Sequence, residues 1–424
     1  MIQSLLLKCG HATGAQMSLK HGESQRVDAG MDRRQFLFAA GAMAAWAATP
    51  VLAGEKRWRV GVIGHTGRGN YGHGLDTMWL ALPETEVVGF ADADAMGREK
   101  EKARLPGVPA FADYREMLSK LKPDIVAIGP RDVSEHRDMI LAAIEAGAKG
   151  IYCEKPFCRT LAEADEIVAA CGKHDVRLAL AHRNRYHPSL PVVKAAVAEG
   201  AIGELLEIRC RGKEDQRGGG LDLWVLGCHD FDLARYFAGN ALACSAVLEQ
   251  GSRPALPADV VAGAEGVGPL AGDRVHARFD MENGVPMYFD SIRNAGVKEA
   301  NFGVQLIGNK GLIDLRIDVE PLAHFVPGNP FQPTSQPRPW VPISSAGIGK
   351  PEPIANLKTE VGNHLTAGRD LLASITEGRA PLCSAQDGQA IIEMISAVFA
   401  SHVQKGARVT LPLTDRSHPL ANWT

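Results

Sequence analysis

The segment Gly61-Val62-Ile63-Gly64-His65-Thr66-Gly67-Arg68-Gly69-Asn70-Tyr71-Gly72-His73-Gly74 constrains this chain more than any other. A β-branched run, residues 59–63, leads straight into it. Glycines at such a strand exit allow a tight turn and a close approach of backbone N–H groups to a diphosphate at a helix N-terminus. Gly67, Gly69 and Gly72 fit G-x-G-x-x-G literally. Placement against the strand end instead favours Gly64 as the first glycine and Gly69 as the last, with Thr66 replacing the middle one. Asp92 closes the next β-branched run, residues 87–91, where an acid meets a ribose hydroxyl. That acid favours NAD over NADP by repelling a 2′-phosphate, and Arg98 shortly after it pulls the other way.

Alternation continues beyond the turn. Residues 125–128, 150–153 and 176–181 read as strands. Tyr114, Met117, Leu118 and Leu121 share one helical face opened by Asp113, and Thr160-Leu161-Ala162-Glu163 reads as a capping box. Gly147 stands where the helix carrying Ile140, Leu141 and Ile144 stops. Strand and helix in turn at this length predict parallel strands with right-handed crossovers, a Rossmann domain over residues 56–183. After Pro188 the pattern changes. A helix over 192–198 is followed by strand-like runs at 205–210, 275–279, 286–291 and 302–307, and Asn283-Gly284 marks a hairpin. The expectation is an α/β chain whose second domain, residues 184–412, is α+β with a largely antiparallel open sheet. Residues 252–273 and 321–353 read as long loops, lining a site or inserted at the surface. Helices over 364–375 and 388–403 close it.

The first 53 residues stand apart. Arg33-Arg34 precedes an apolar run, residues 36–48, too short to span a bilayer, which needs about 20 residues. Small residues ending at Ala53 suit signal cleavage, so residues 31–53 read as a twin-arginine export signal. Residues 1–30 read as a leader or an over-extended start. The expected location is periplasmic, with no membrane span in the mature form. Lys plus Arg number 46 against 49 Asp plus Glu, a balance that argues against a nucleic-acid partner. Eight cysteines show neither C-x-x-C nor zinc spacing, so neither a disulfide framework nor a metal centre is expected.

Glu154-Lys155-Pro156 follows the 150–153 strand at the carboxyl edge where open parallel sheets hold ligands. A lysine there hydrogen-bonds a hydroxyl and lowers its pKa. With the glycine turn, Asp92, Pro130 followed by His136, Arg185-Tyr186-His187-Pro188, Gly308-Asn309-Lys310-Gly311 and the closing segment 388–412, the chain resembles the Gfo/Idh/MocA oxidoreductases. That resemblance implies an NAD(P) cofactor, a sugar or cyclitol substrate and a homo-oligomer, dimer or tetramer, built through the open sheet. It makes Lys155 the catalytic lysine and puts Pro130, His136, Glu154 and Pro156 beside the cofactor. It turns Arg185 and Tyr186 toward substrate.

The family's second motif is an Asp followed four residues later by a His. His229 matches the histidine and is the expected general base, yet Val225 holds the Asp position. Asp222, Asp230 and Asp232 are the candidates to replace it. Lys213, Glu214 and Asp215 read as a solvated charged turn.

The leading expectation is oxidation of a secondary alcohol of a sugar or derivative with a retained nicotinamide cofactor. The alternatives are a redox-neutral NAD-dependent glycosidase and a non-catalytic sugar-binding protein on a dehydrogenase scaffold.

Overall fold

The structure, a computed structural model, describes residues 57–296 and 302–424. Everything expected of residues 1–53 lies outside the described residues.

Six parallel strands form the first sheet: β1 (Trp58–Ile63), β2 (Thr85–Ala91), β3 (Ala110–Phe111), β4 (Ile125–Ile128), β5 (Gly150–Cys153) and β6 (Arg177–Leu180). Their spatial order is β3-β2-β1-β4-β5-β6. This order reverses between β1 and β4, which opens a crevice at the carboxyl ends of both. Helices α1 (Ala95–Arg104), α2 (Tyr114–Leu121), α3 (His136–Glu145) and α4 (Leu161–His174) make the crossovers. Asp113 caps α2 by accepting from Arg115 N, and Thr160 caps α4 by accepting from Glu163 N. β4 and β5 are buried along their whole length, as expected of strands covered by helices on both faces.

One local expectation fails at the most telling place. No α-helix follows β1: residues 66–77 are turns, ending in a short 3₁₀ helix, Met78–Ala81. Gly67, Gly69, Gly72 and Gly74 all have positive φ, as does Asn70. A right-handed helix cannot pass through so many left-handed residues, so the turn stays a turn.

Helix α5 (Ser189–Ala198) leads to the second sheet, of eleven strands. Its centre is β7 (Leu205–Arg211), followed in the chain by α6 (Gly220–Val225), α7 (Gly227–Ala238), β8 (Ala241–Gln250), β9 (Arg274–Met281) and β10 (Pro286–Ile292). β9 and β10 are the hairpin expected around Asn283-Gly284. Pairing is antiparallel throughout except between β7 and β10. β11 (Gly303–Gly308) and β12 (Gly311–Arg316) continue the sheet beyond β7.

Residues 321–353 are not a loop: Ala323–Pro327, Val341–Ser344 and Gly347–Ile348 add three more antiparallel strands. Prolines hid them from the sequence pattern, yet near a sheet edge a proline such as Pro342 is tolerated. β8 also escaped notice, since its three alanines carry little β propensity.

Helices α8 (Leu357–Gly362), α9 (Leu365–Glu377) and α10 (Ala385–Val403) complete the fold. α10 packs against both α4 and β8, so one long helix joins the two sheets' cores. Every described cysteine is buried and unpaired. Among the described residues no helix is long and apolar enough to cross a membrane.

Candidate active site

The parallel sheet delivers its loops to one edge. The glycine turn leaves β1, Asp92 ends β2, Gly129-Pro130 follows β4, Glu154-Lys155 follows β5, and His182-Arg183 follows β6. Two cavities lie along this edge. One, of about 280 Å³, is lined by Gly64, His65, Asp92, Asp113, Tyr114 and Arg115. The other, of about 130 Å³, includes Lys155, Arg183 and His229 in its lining.

The glycine turn separates them and is built for close approach. A Cβ on Gly69 would lie 2.2 Å from Arg131 N, and one on Gly72 would lie 2.5 Å from Glu154 Cγ. Gly64 lies against the Tyr71 ring, whereas a Cβ on Gly67 meets nothing. A cradle that a side chain would fill, with an open cavity on either side, fits an extended dinucleotide.

Asp92 differs from the expected free ribose acceptor. Its carboxylate accepts from Thr66 N at 3.1 Å, Thr66 Oγ1 at 2.7 Å and Asp94 N at 2.9 Å. With these bonds most of its acceptor capacity is spent holding the turn. Arg98 donates to the carbonyls of Asp92 and Ala93, which ties it to the strand end.

His136 is fully buried and stands between the carbonyls of Pro130, 2.7 Å from Nε2, and Pro156, 2.9 Å from Nδ1. It braces the β4 and β5 exits from behind instead of facing a cavity.

Glu154 is also fully buried. Burial alone would raise its pKa, but hydrogen bonding and charge from His73, and the Lys155 ammonium, hold it well below the usual carboxylate range.

Lys155 Nζ donates to the Val225 carbonyl at 2.8 Å. The position that holds an Asp in the resembling family thus serves here through its main chain. None of the three aspartates proposed to compensate reaches the cavity. Asp222 accepts from Ser291 Oγ and Glu214 N. Asp230 is buried with no hydrogen-bond partner for its carboxylate among the described residues, and burial pushes its carboxyl well up. Asp232 pairs with Arg185 at 3.0 Å.

His229 lines the cavity with its Nδ1 3.1 Å from Nδ1 of His182. Burial first, then His182 and Lys155, push its pKa well below the usual histidine value, so the ring is neutral near pH 7. The signal for His182 was available, because it follows the last parallel strand on the ligand edge. Its pairing with a residue on α7 was not.

Cys228, His182 and His229 have ligand atoms within 4.8 Å of one another. All three are buried, and burial lifts the thiol to about 12. With the Lys155 ammonium also acting on Cys228 and His229, the trio is set as a packed polar cluster.

Arg185 and Tyr186 do not line either cavity, which corrects their expected contact with substrate. Arg185 bonds Asp232, Asp387 and the Leu382 carbonyl, and Tyr186 donates to the Leu180 carbonyl. Both point into the junction with α7 and α10, while Arg183, at the start of the same 3₁₀ turn, faces the other way. The cavity instead receives Arg183, bonded to Asp318 at 2.7 Å. Burial would raise the Asp318 carboxyl, but hydrogen bonds from Arg183 and Asn184 and the Arg183 charge hold it well down. His364 also lines the cavity. Its Nδ1 meets the Tyr152 hydroxyl at 2.7 Å while its buried Nε2 has no partner among the described residues. Nothing in the sequence pointed to Asp318 or His364.

Known proteins place this architecture. Residues 58–182 match the Gfo/Idh/MocA profile described as an oxidoreductase family with an NAD-binding Rossmann fold, and residues 194–411 match that family's C-terminal alpha/beta domain. The chain is 25% identical to D-apiose dehydrogenase of Paraburkholderia graminis over 334 residues, which is 74% of this chain and 84% of the relative. It is 39% identical to the uncharacterized oxidoreductase YrbE of Bacillus subtilis over 140 residues, 30% of this chain and only 39% of YrbE. In fold it is similar to levoglucosan dehydrogenase in complex with NADH and L-sorbose, with a TM-score of 0.67 at 22% identity, covering 84% of this chain and all of the other. The chain belongs to the Gfo/Idh/MocA family of oxidoreductases, and its first domain is that family's NAD-binding Rossmann fold.

Proposed function

We propose that this protein oxidises a secondary alcohol of a sugar, cyclitol or sugar derivative, with Lys155 and His229 as the proton-handling pair. The observation that carries the reading is that both side chains line one small cavity at the carboxyl edge of an NAD-binding sheet. The resemblance to D-apiose and levoglucosan dehydrogenases supports the substrate class.

When bound, the nicotinamide supplies the hydride acceptor. The glycine turn, Pro130 and Glu154 would hold it along the edge between the two cavities. Lys155 spends one N–H on the Val225 carbonyl and has two left for the substrate oxygen. Those bonds stabilise developing negative charge on the oxygen and acidify the hydroxyl. Neutral His229 takes the hydroxyl proton, and His182 fixes the ring's orientation through Nδ1. No carboxylate at position 225 is needed for either job. Turnover of NAD with a panel of sugars and polyols tests this. Absence of any bound or titratable nicotinamide cofactor defeats it, and aglycone release without net NADH would instead favour the redox-neutral glycosidase.

The twin-arginine signature supports export of the folded protein, and an exported dehydrogenase must carry its cofactor with it. In this reading NAD(H) is acquired before export and retained. Support comes from the 252–273 stretch: Gly266, at positive φ, lies against Asp132 and Ser134, just beyond β4, so this segment crosses from the second domain to the first. Native mass spectrometry of the exported, dialysed protein measures both cofactor occupancy and cleavage after Ala53. An empty mature protein, or an uncleaved cytoplasmic one, overturns the retention reading.

A further inference from the structure

We infer that the substrate carries a carboxylate, so that this is a dehydrogenase for a sugar acid, with Lys213 and Arg217 as the residues that read the acid group. The inference rests on the reading of the cavity as the site of alcohol oxidation and adds the class of molecule it takes.

The argument begins with charge. Arg131, Lys155, Arg183, Lys213 and Arg217 all line the cavity, against two carboxylates, Asp318 and Glu265. Asp318 is consumed by Arg183 and Asn184. Glu265 acts on Arg217 only through its charge, and that guanidinium is held by Asp215 through Nε at 3.1 Å and Nη2 at 2.5 Å. Asp215 also feels Lys213, but only at a distance. Neither Arg131 nor Lys213 makes a side-chain hydrogen bond or ion pair to another described residue. A narrow cleft with low-dielectric walls focuses such an excess and selects an anion.

The cofactor does not account for all of it. Arg131 backs the glycine turn at Gly69, the place for a diphosphate, and Lys155 is assigned to the reacting hydroxyl. Lys213 comes from the other domain, on the loop after β7. That loop is held firmly. Asp222 accepts from Glu214 N and Ser291 Oγ, and a Cβ on Gly212 would lie 2.2 Å from Asp222 Oδ2. A Cβ on Gly218 would meet the Arg293 backbone at 2.3 Å. The backbone of the loop after β7 is therefore packed into place, with Lys213, exposed as its composition implies, and half-buried Arg217 lining the cavity. His364 Nε2, buried and unpartnered in the same cavity, offers one more polar contact for the ligand. A cavity of about 130 Å³ suits one small ring or chain. The glycines on its second-domain wall, Gly218, Gly219 and Gly220, spend their N–H groups on the Asp215 carbonyl, Ser291 Oγ and the Gly272 carbonyl, so the cationic side chains are left to read the anion, which favours the carboxylate.

The test is calorimetric titration of the NADH-loaded protein with D-glucuronate, D-galacturonate and D-gluconate, each against its parent hexose, and with D-glucose 6-phosphate. At least one acid is expected to bind about tenfold or more tightly than its parent, with the margin shrinking as salt is added. Lys213→Ala should cut that preference about tenfold, and Lys213→Arg should restore most of it. Parent sugars binding as tightly as every acid, no acid binding at all, or the phosphate binding more tightly than every acid each overturns the inference. NADH binding, measured first and without sugar, reports separately on the dehydrogenase reading. If NADH fails to bind, that reading falls whatever the acids do.

Discussion

The two walls of the cleft are made in different ways. The first-domain wall is framed by backbone, a glycine turn, strand ends and the carbonyls that His136 braces, from which Lys155, Arg131 and Arg183 project. The second-domain wall is side chain: His229 from α7, Lys213 and Arg217 from the loop after β7, Asp318 and His364 from later still. A backbone wall binds what is common to every turnover and tolerates little change. A side-chain wall can be rewritten residue by residue, which is where a family divides its substrates.

Lys155 joins the walls, since its Nζ reaches across to the Val225 carbonyl. Lys155→Met is expected to lower kcat by roughly 10²–10⁴-fold while NADH still binds. Single-turnover rates check this, and near-normal rates would remove Lys155 from the chemistry.

Arg185 tests whether the junction behind the walls is separate from the site. Arg185→Met leaves Asp232 buried without its partner and should cost about 3 kcal/mol of stability, with KM unaltered. Denaturant melts and initial rates read the two effects apart. A raised KM at full stability would return Arg185 to the substrate wall.

Acid should weaken the second wall. His364 has its pKa pushed down to about 4 by burial, against about 6.5 in the unfolded chain. A depressed histidine stabilises the fold fully above the unfolded value, and that contribution is lost as pH falls from about 6.5 toward 4. The loss is of order 3 kcal/mol, so urea midpoints at pH 7 and pH 4.5 should lie further apart in the wild type than in His364→Gln. Equal separation would contradict a neutral buried ring.

The smallest effects separate glycines within the backbone wall. Gly69→Ala forces a Cβ onto Arg131 N at φ +92°, with about 1–3 kcal/mol of strain and a matching loss of NADH affinity. Gly67→Ala, at φ +88° with nothing within 4 Å, should cost only about 1 kcal/mol of stability. Fluorescence titration with NADH would blur the contrast if both variants bound alike.

The sequence by itself determined the doubly wound sheet, the hairpin at Asn283-Gly284 and the placing of Lys155 at a strand's carboxyl edge. Each depends on short-range pattern, which survives in one dimension: periodicity, turn chemistry and a residue's offset from a strand end. Local pattern misled where geometry has the last word. The glycines that mark the turn also forbid the helix expected after it, and Asp92 is drawn into holding Thr66.

Only the tertiary structure decided which charged residues share the cavity. Arg183 and Arg185 are two positions apart in the chain, yet one faces Asp318 in the site and the other Asp232 behind it. Val225 looked like a missing carboxylate until its carbonyl met Lys155, and His182 found His229 across 47 positions of chain. Such pairings are set by how β6, α7 and the loop after β12 pack together, and long-range packing leaves no periodicity for a sequence to display.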